Sequence, residues 1–161
     1  MGNARDSYII QYSTKHLSST DIVKFFYELK GRGNNLGIIT DTNSQFLTKS
    51  LVEVPKNALV LWKYFFKKWG CDYKLIKTVA KSKATGKIFL FNSSKLTGSK
   101  KVRFFYELKG RGSAKGIISE TKATYLARSA VMISTKNYFD FVKFLRKWKC
   151  NFEIKEVLIN G

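Results

Sequence analysis

The chain has 161 residues, enough for one ordinary domain or two small ones, and 44% of them are apolar, so it builds a core and is no disordered basic tail. Lys and Arg number 30 against 11 Asp and Glu, a formal charge of +19 that repels itself unless a polyanion neutralises it. Two cysteines and one histidine exclude a disulfide framework and a protein-ligated zinc site and argue against a His-based triad.

Met1 to Ser7 lacks the apolar region of a secretion signal and the spacing for myristoylation, and no apolar run approaches a membrane span, so no membrane partner is expected. The expected setting is intracellular and reducing. Lys outnumbers Arg 24 to 6, a bias of AT-rich genomes such as those of organelles.

The chain repeats itself. Shifted by 79 residues, Val23–Val79 and Val102–Leu158 are identical at 21 of 57 positions without a gap. Phe25-Phe26-Tyr27-Glu28-Leu29-Lys30-Gly31-Arg32-Gly33 recurs without change as Phe104–Gly112. Residues 1–79 therefore read as a first unit, 80–86 as a linker and 87–161 as a second unit, the two either separate or packed about a pseudo-two-fold.

Along one unit, Tyr8–Tyr12 and its counterpart Lys87–Phe91 read as a short apolar strand. The next segment, 19–30 and 98–109, has two readings. As a helix, Ile22, Phe25, Phe26 and Leu29 form its apolar stripe. Ser18 and Asp21 then resemble a capping box, Leu17 and Ile22 a hydrophobic staple, and Gly31 and Gly110 the glycines past the helix end. Lys24 with Glu28, and Arg103 with Glu107, would pair at i,i+4. As a strand, Phe25, Tyr27 and Leu29 face one side; Thr97-Gly98 and the cations that follow favour this second reading. The helix is preferred.

Residues 37–42 and 46–54 read as two strands, and Tyr125, Ala127, Ser129, Val131 and Ile133 alternate onto one face as a strand does. Pro55 suits a first helical residue, and Leu59, Trp62, Phe65, Phe66 and Trp69 follow at helical spacing. The second copy offers Tyr138, Phe141, Leu145 and Trp148, with Ser134 or Thr135 as cap. Strands Tyr73–Val79 and Phe152–Ile159 close the units, and Cys71 and Cys150 read as small buried residues. The expected fold is α+β: two tandem units, each an antiparallel sheet backed by helix, βαββαβ preferred over ββββα plus a terminal strand.

In the βαββαβ reading, Lys87-Ile88-Phe89-Leu90-Phe91-Asn92 resembles the first-strand motif of RNA-recognition motifs. That resemblance implies base stacking by Phe89. In the strand reading, Lys24–Lys30 and Arg103–Lys109 resemble the second strand of Pur/Whirly-type repeats, which implies single-strand binding on the sheet. The duplicated basic α/β organisation is also similar to LAGLIDADG homing endonucleases. Arg stands where that motif carries its acid, in the run Lys30-Gly31-Arg32-Gly33, so this likeness implies a binding-only descendant.

The Lys-Gly-Arg-Gly segments are the leading phosphate candidates: Lys30, Gly31, Arg32 and Gly33, with Lys109, Gly110, Arg111 and Gly112. Glycine backbones approach ligands closely, and Lys and Arg supply charge and a planar donor fork. Lys24 and Lys115 flank them. The stretch from 81 to 103 carries Lys81, Lys83, Lys87, Lys95, Lys100, Lys101 and Arg103 without an acid. Residues 1–79 hold 12 basic and 6 acidic groups and residues 80–161 hold 18 and 5, so phosphate contact is expected to weigh on the second unit.

Candidate base-stacking rings are Tyr12, Phe26, Phe89 and Phe105, expected on an open sheet face. Asp41 and Glu120 occupy equivalent positions, as a Mg²⁺-dependent nuclease would need. The expected function is non-enzymatic nucleic-acid binding, RNA before DNA, without cofactor or metal, perhaps best placed in a ribonucleoprotein such as an organellar ribosome, alongside other proteins of that particle. The alternatives are a single-stranded-DNA binder, a homing-endonuclease-like enzyme and an interaction module for an acidic protein.

Overall fold

A computed structural model describes residues 6–159; the N-terminal Met1–Arg5, on which the targeting expectations fall, lie outside them. The chain divides into Met1–Val79 and Ala80–Gly161. The first unit runs β1 (Ser7–Tyr12), α1 (Ser19–Lys30), β2 (Gly31–Arg32), β3 (Asn35–Leu36), α2 (Ile38–Asp41), β4 (Gln45–Thr48), β5 (Leu51–Pro55), α3 (Leu59–Trp69) and β6 (Tyr73–Lys77). The second runs β7 (Gly86–Asn92), α4 (Gly98–Lys109), β8 (Gly110–Arg111), β9 (Ala114–Lys115), α5 (Ile117–Glu120), β10 (Thr124–Ala127), β11 (Ala130–Ser134), α6 (Tyr138–Lys147) and β12 (Asn151–Val157).

The sheet orders are β4-β5-β1-β6 and β10-β11-β7-β12, antiparallel throughout. The fold is α+β, and the principal elements of each unit follow βαββαβ. The ambiguous segment is helical in both units. Ser18 has extended backbone and its hydroxyl accepts the Asp21 amide at 3.1 Å, as an N-cap should. α1 buries Phe25 and Leu29 and stops at Gly31, whose φ of +91° few other residues tolerate. α4 repeats this with Phe104, Leu108 and Gly110, but Thr97 makes no side-chain cap bond.

Three strand expectations are corrected. The segment 37–42 is helical at 38–41, because Gly37 packs against the backbone of Leu29 and Gly31, where a Cβ would collide, and the chain turns there. The strand expected over 46–54 is a hairpin, β4 and β5. The alternating run 125–133 is likewise a hairpin, β10 and β11, whose bulge between Tyr125 and Ala127 disguises the turn.

Pro55 ends β5 and precedes a 3₁₀ turn, Lys56–Ala58, that leads into α3. Neither Ser134 nor Thr135 caps α6: Asn137 holds the cap position, and the Ser134 hydroxyl accepts the Lys136 amide in the preceding turn. The expected linker is short in practice. Gly86 is already in β7, and the Thr85 amide donates to the Val157 carbonyl.

Each core lies between one sheet face and two helices. In the first unit Ile10, Tyr12, Val52 and Val54 meet Phe25, Leu29, Trp62 and Phe66. In the second Phe89, Phe91, Val131 and Ile133 meet Phe104, Leu108, Phe141 and Leu145. Cys71 and Cys150 are buried free thiols, raised above the ordinary cysteine value by burial, with Asp72 adding to the rise at Cys71. Among the described residues no helix is long and apolar enough to cross a membrane.

Candidate nucleic-acid interface

The Lys-Gly-Arg-Gly segments are tight hairpins at the ends of α1 and α4. Gly31 pairs with Leu36 and Arg32 with Asn35, leaving Gly33-Asn34 as a two-residue turn; Gly110 with Lys115 and Arg111 with Ala114 leave Gly112-Ser113. Gly33 and Gly112 have φ of +61° and +59°, as the first central residue of a II′ turn requires. The Gly31 and Gly110 amides are engaged by the Tyr27 and Tyr106 carbonyls, so these glycines close the helix rather than offer free donors.

The cations of the hairpins are mounted on aromatic rings. The Arg32 guanidinium lies 4.5 Å from the Tyr27 ring centroid, and Arg111 lies 4.6 Å from Tyr106. Lys30 sits over Phe26 at 5.3 Å and Phe46 at 5.4 Å. Lys109 sits over Tyr125 at 4.4 Å and Phe105 at 5.9 Å, and Arg128 over Phe105 at 5.0 Å. A guanidinium stacked on a ring loses little further freedom when its fork meets a phosphate. Lys24, Lys30, Arg32, Lys100, Arg103, Lys109, Arg111 and Lys115 are exposed, and Lys101 is half-buried.

The base-stacking expectation is corrected for two residues. Tyr12 is 5% exposed and Phe89 fully buried, both on the helix-covered side of their sheets. On the opposite side the strands carry residues such as Ile9, Gln11, Glu53 and Lys74, or Ile88, Leu90, Met132 and Glu153, with no aromatic among them. Phe26 and Phe105 belong to helices rather than the sheet. They are half-buried against Phe25 and Phe104, and they seat Lys30 and Arg128.

Glu28 and Glu107 do not take the i,i+4 partners expected of them. Glu28 accepts from Lys68 at 2.9 Å and from the Trp69 indole at 3.1 Å, tying α1 to α3. Glu107 accepts from Lys147 at 3.0 Å and Trp148 at 2.9 Å, tying α4 to α6. Desolvation would raise the Glu107 carboxyl, but the Trp148 and Lys147 bonds, aided by the charges of Lys147 and Arg103, outweigh it and hold it below its ordinary value.

Lys87 also leaves the basic stretch. Its ammonium is 2.6 Å from Glu156, over the Tyr138 ring at 4.9 Å, and its side chain is 8% exposed. Asp41 and Glu120 are exposed at the ends of α2 and α5, and among the described residues no three His, Cys, Asp or Glu side chains converge as metal ligands would.

Sequence reasoning did not select Tyr27 and Tyr106, Phe46 and Tyr125, or Arg128 for this surface. The signal was present: aromatic faces aromatic at 46/125 and cation faces cation at 49/128 when the copies are aligned. No protein-family model matches the chain, and no curated protein matches it.

Proposed function

We propose that the protein is a non-enzymatic nucleic-acid-binding protein that takes single-stranded or irregular RNA in preference to DNA, as a component of an intracellular, reducing ribonucleoprotein such as an organellar ribosome. The observation that carries this reading is the start of α4. Lys100, Lys101 and Arg103 occupy its first two turns, with no acid in the first turn and no side-chain cap. Cations there oppose the helix dipole, at about 0.3–1 kcal/mol each. The same turn of α1 has the Ser18 cap and Asp21. A charge arrangement that weakens its own helix is favoured when a phosphate joins it, because exposed amides and cations then act together.

The hairpins add a second set of phosphate ligands: Arg32 and Arg111 as pre-oriented forks, Lys30 and Lys109 as point charges. RNA rather than duplex DNA suits a surface made of helix ends and hairpins, with no long exposed helix of recognition type. Ultraviolet crosslinking of the protein in its native source, with sequencing of the attached nucleic acid, tests the reading. Recovery of RNA on peptides spanning residues 98–111 is expected; recovery of DNA alone, or of no nucleic acid, would overturn it.

A further inference from the structure

Beyond nucleic-acid binding, the first unit has a surface that a polyanion does not explain. A groove of about 520 Å³ lies among α1, the β2–β3 hairpin, α2 and α3. Its walls include Tyr27, Leu36, Leu61 and Tyr64, which are 42%, 67%, 51% and 68% exposed. Val60, 80% exposed, stands next to Leu61 on α3. An exposed apolar cluster of this kind on a strongly basic chain calls for an occupant.

The fold itself does not require it. The second unit has a hollow of about 500 Å³ at the corresponding place, among α4, α5 and α6. There Lys115, Asp140 and Lys143 stand at the positions of Leu36, Leu61 and Tyr64, on the same elements. The backbone arrangement therefore tolerates charge at all three positions, and the apolar residues of the first unit serve something other than packing.

We propose that this groove docks an amphipathic helix of a protein partner, apolar along one face and acidic along its flanks. Leu61 and Tyr64, three residues apart on α3, face a trough closed by Leu36 and Tyr27, which suits a helix presenting anchors at i, i+3 or i+4, and i+7. β3 has two residues and is too short an edge for strand addition. Acidic flanks are selected by Lys63 and Lys67, exposed on α3 with no ion-pair partner among the described residues, and by Arg32 on the groove wall. A second copy of the chain is disfavoured by its own charge of +19. A phosphate backbone is disfavoured by the aliphatic lining and by the carboxylates of Asp41 and Glu28 on the wall.

The test titrates the intact, ¹⁵N-labelled chain with a synthetic amphipathic helix of about four turns carrying Leu and Phe anchors and Glu on its flanks. Saturable amide shifts at Leu36, Leu61 and Tyr64 are expected. The charge-neutral double variant Leu61→Asp/Tyr64→Lys should weaken the peptide by about tenfold or more. That variant borrows residues the second unit already holds at these positions, so it should fold. Its affinity for a single-stranded RNA should stay within about twofold of the parent, which separates this proposal from the RNA reading. The proposal is overturned if the peptide produces no saturable shift in the groove, if a peptide with Lys in place of Glu binds as well, if the variant binds as tightly, or if single-stranded RNA shifts the same groove amides.

Discussion

The two units share an order of elements and a sheet order, yet differ most where their helices begin and where their grooves open. α1 starts on a Ser18 cap with Asp21 in its first turn; α4 starts uncapped on Lys100 and Lys101. The groove beside α1 is lined by Leu36, Leu61 and Tyr64, and the hollow beside α4 by Lys115, Asp140 and Lys143. What stays the same is equally informative. The Glu–Lys–Trp tie between the two long helices and the Arg-on-Tyr stack of the hairpin occur in both units with nearly equal distances. Shared constellations hold the unit together and set its cations. Divergent ones divide the work: phosphate contact in the second unit, and an apolar partner in the first.

The largest expected effect separates the two sheets. Glu156→Ala leaves the Lys87 ammonium buried without its counter-charge, and should cost roughly 3 kcal/mol of stability in the second unit. The corresponding residue of the first unit is the exposed Lys77, and Lys77→Ala should change stability by less than about 0.5 kcal/mol. Hydrogen exchange resolved by unit would read both; equal losses would break the contrast.

Next come the hairpins. Arg32→Ala combined with Arg111→Ala should weaken RNA binding by about tenfold and nearly uniformly across sequences, since phosphate contacts carry no sequence information. Of the single changes, Arg111→Ala should cost more, because its neighbourhood holds more positive charge. Filter binding against several oligonucleotides measures this, and a sequence-dependent loss would assign base contacts to the arginines instead.

A smaller effect has opposite signs in two assays. Lys100→Asp should stabilise the second unit by about 1 kcal/mol, by replacing a cation at the helix start with an anion. The same change should weaken RNA binding. Thermal melting and anisotropy on one preparation would show the trade; loss of stability would mean that the cation is not opposed by the dipole.

The smallest effect follows acid. The Glu107 carboxyl lies below its ordinary value, so its ionised form contributes stability at pH values above that ordinary value. The contribution is lost as pH falls through the lowered folded value. Glu107→Gln should therefore melt lower than the parent at neutral pH, and the difference should shrink on acidification. A gap that widened in acid would contradict the tie to Lys147 and Trp148.

Much of this was legible in the sequence where local rules and packing agree. Ser18 and Asp21 announced α1, Gly31 and Gly110 announced the helix ends, and the Trp62 to Phe66 spacing announced a core helix. The failures share a cause: the deciding contact is distant along the chain. Ile38-Ile39 looks like a strand, but the crossing of Gly31 and Gly37 forces a helical turn. Alternation from Tyr125 to Ile133 passes through a hairpin because the bulge restores the period. Alternation also separates the faces of a strand without saying which face the helices cover, and so Tyr12 and Phe89 were assigned to a surface they do not reach. Glu28 and Glu107 have plausible partners four residues away, but Lys68 and Lys147, with the indoles beside them, come closer through the tertiary fold.

The most direct test of the account is the salt dependence of single-stranded RNA binding by the intact chain, beside the Lys100→Gln/Lys101→Gln/Arg103→Gln variant. The account predicts that log affinity falls steeply with log salt for the parent, and that the slope of the variant is shallower by about 2, roughly 0.7 for each phosphate contact removed. A parent whose binding ignores salt, or a variant with the parent's slope, would contradict it.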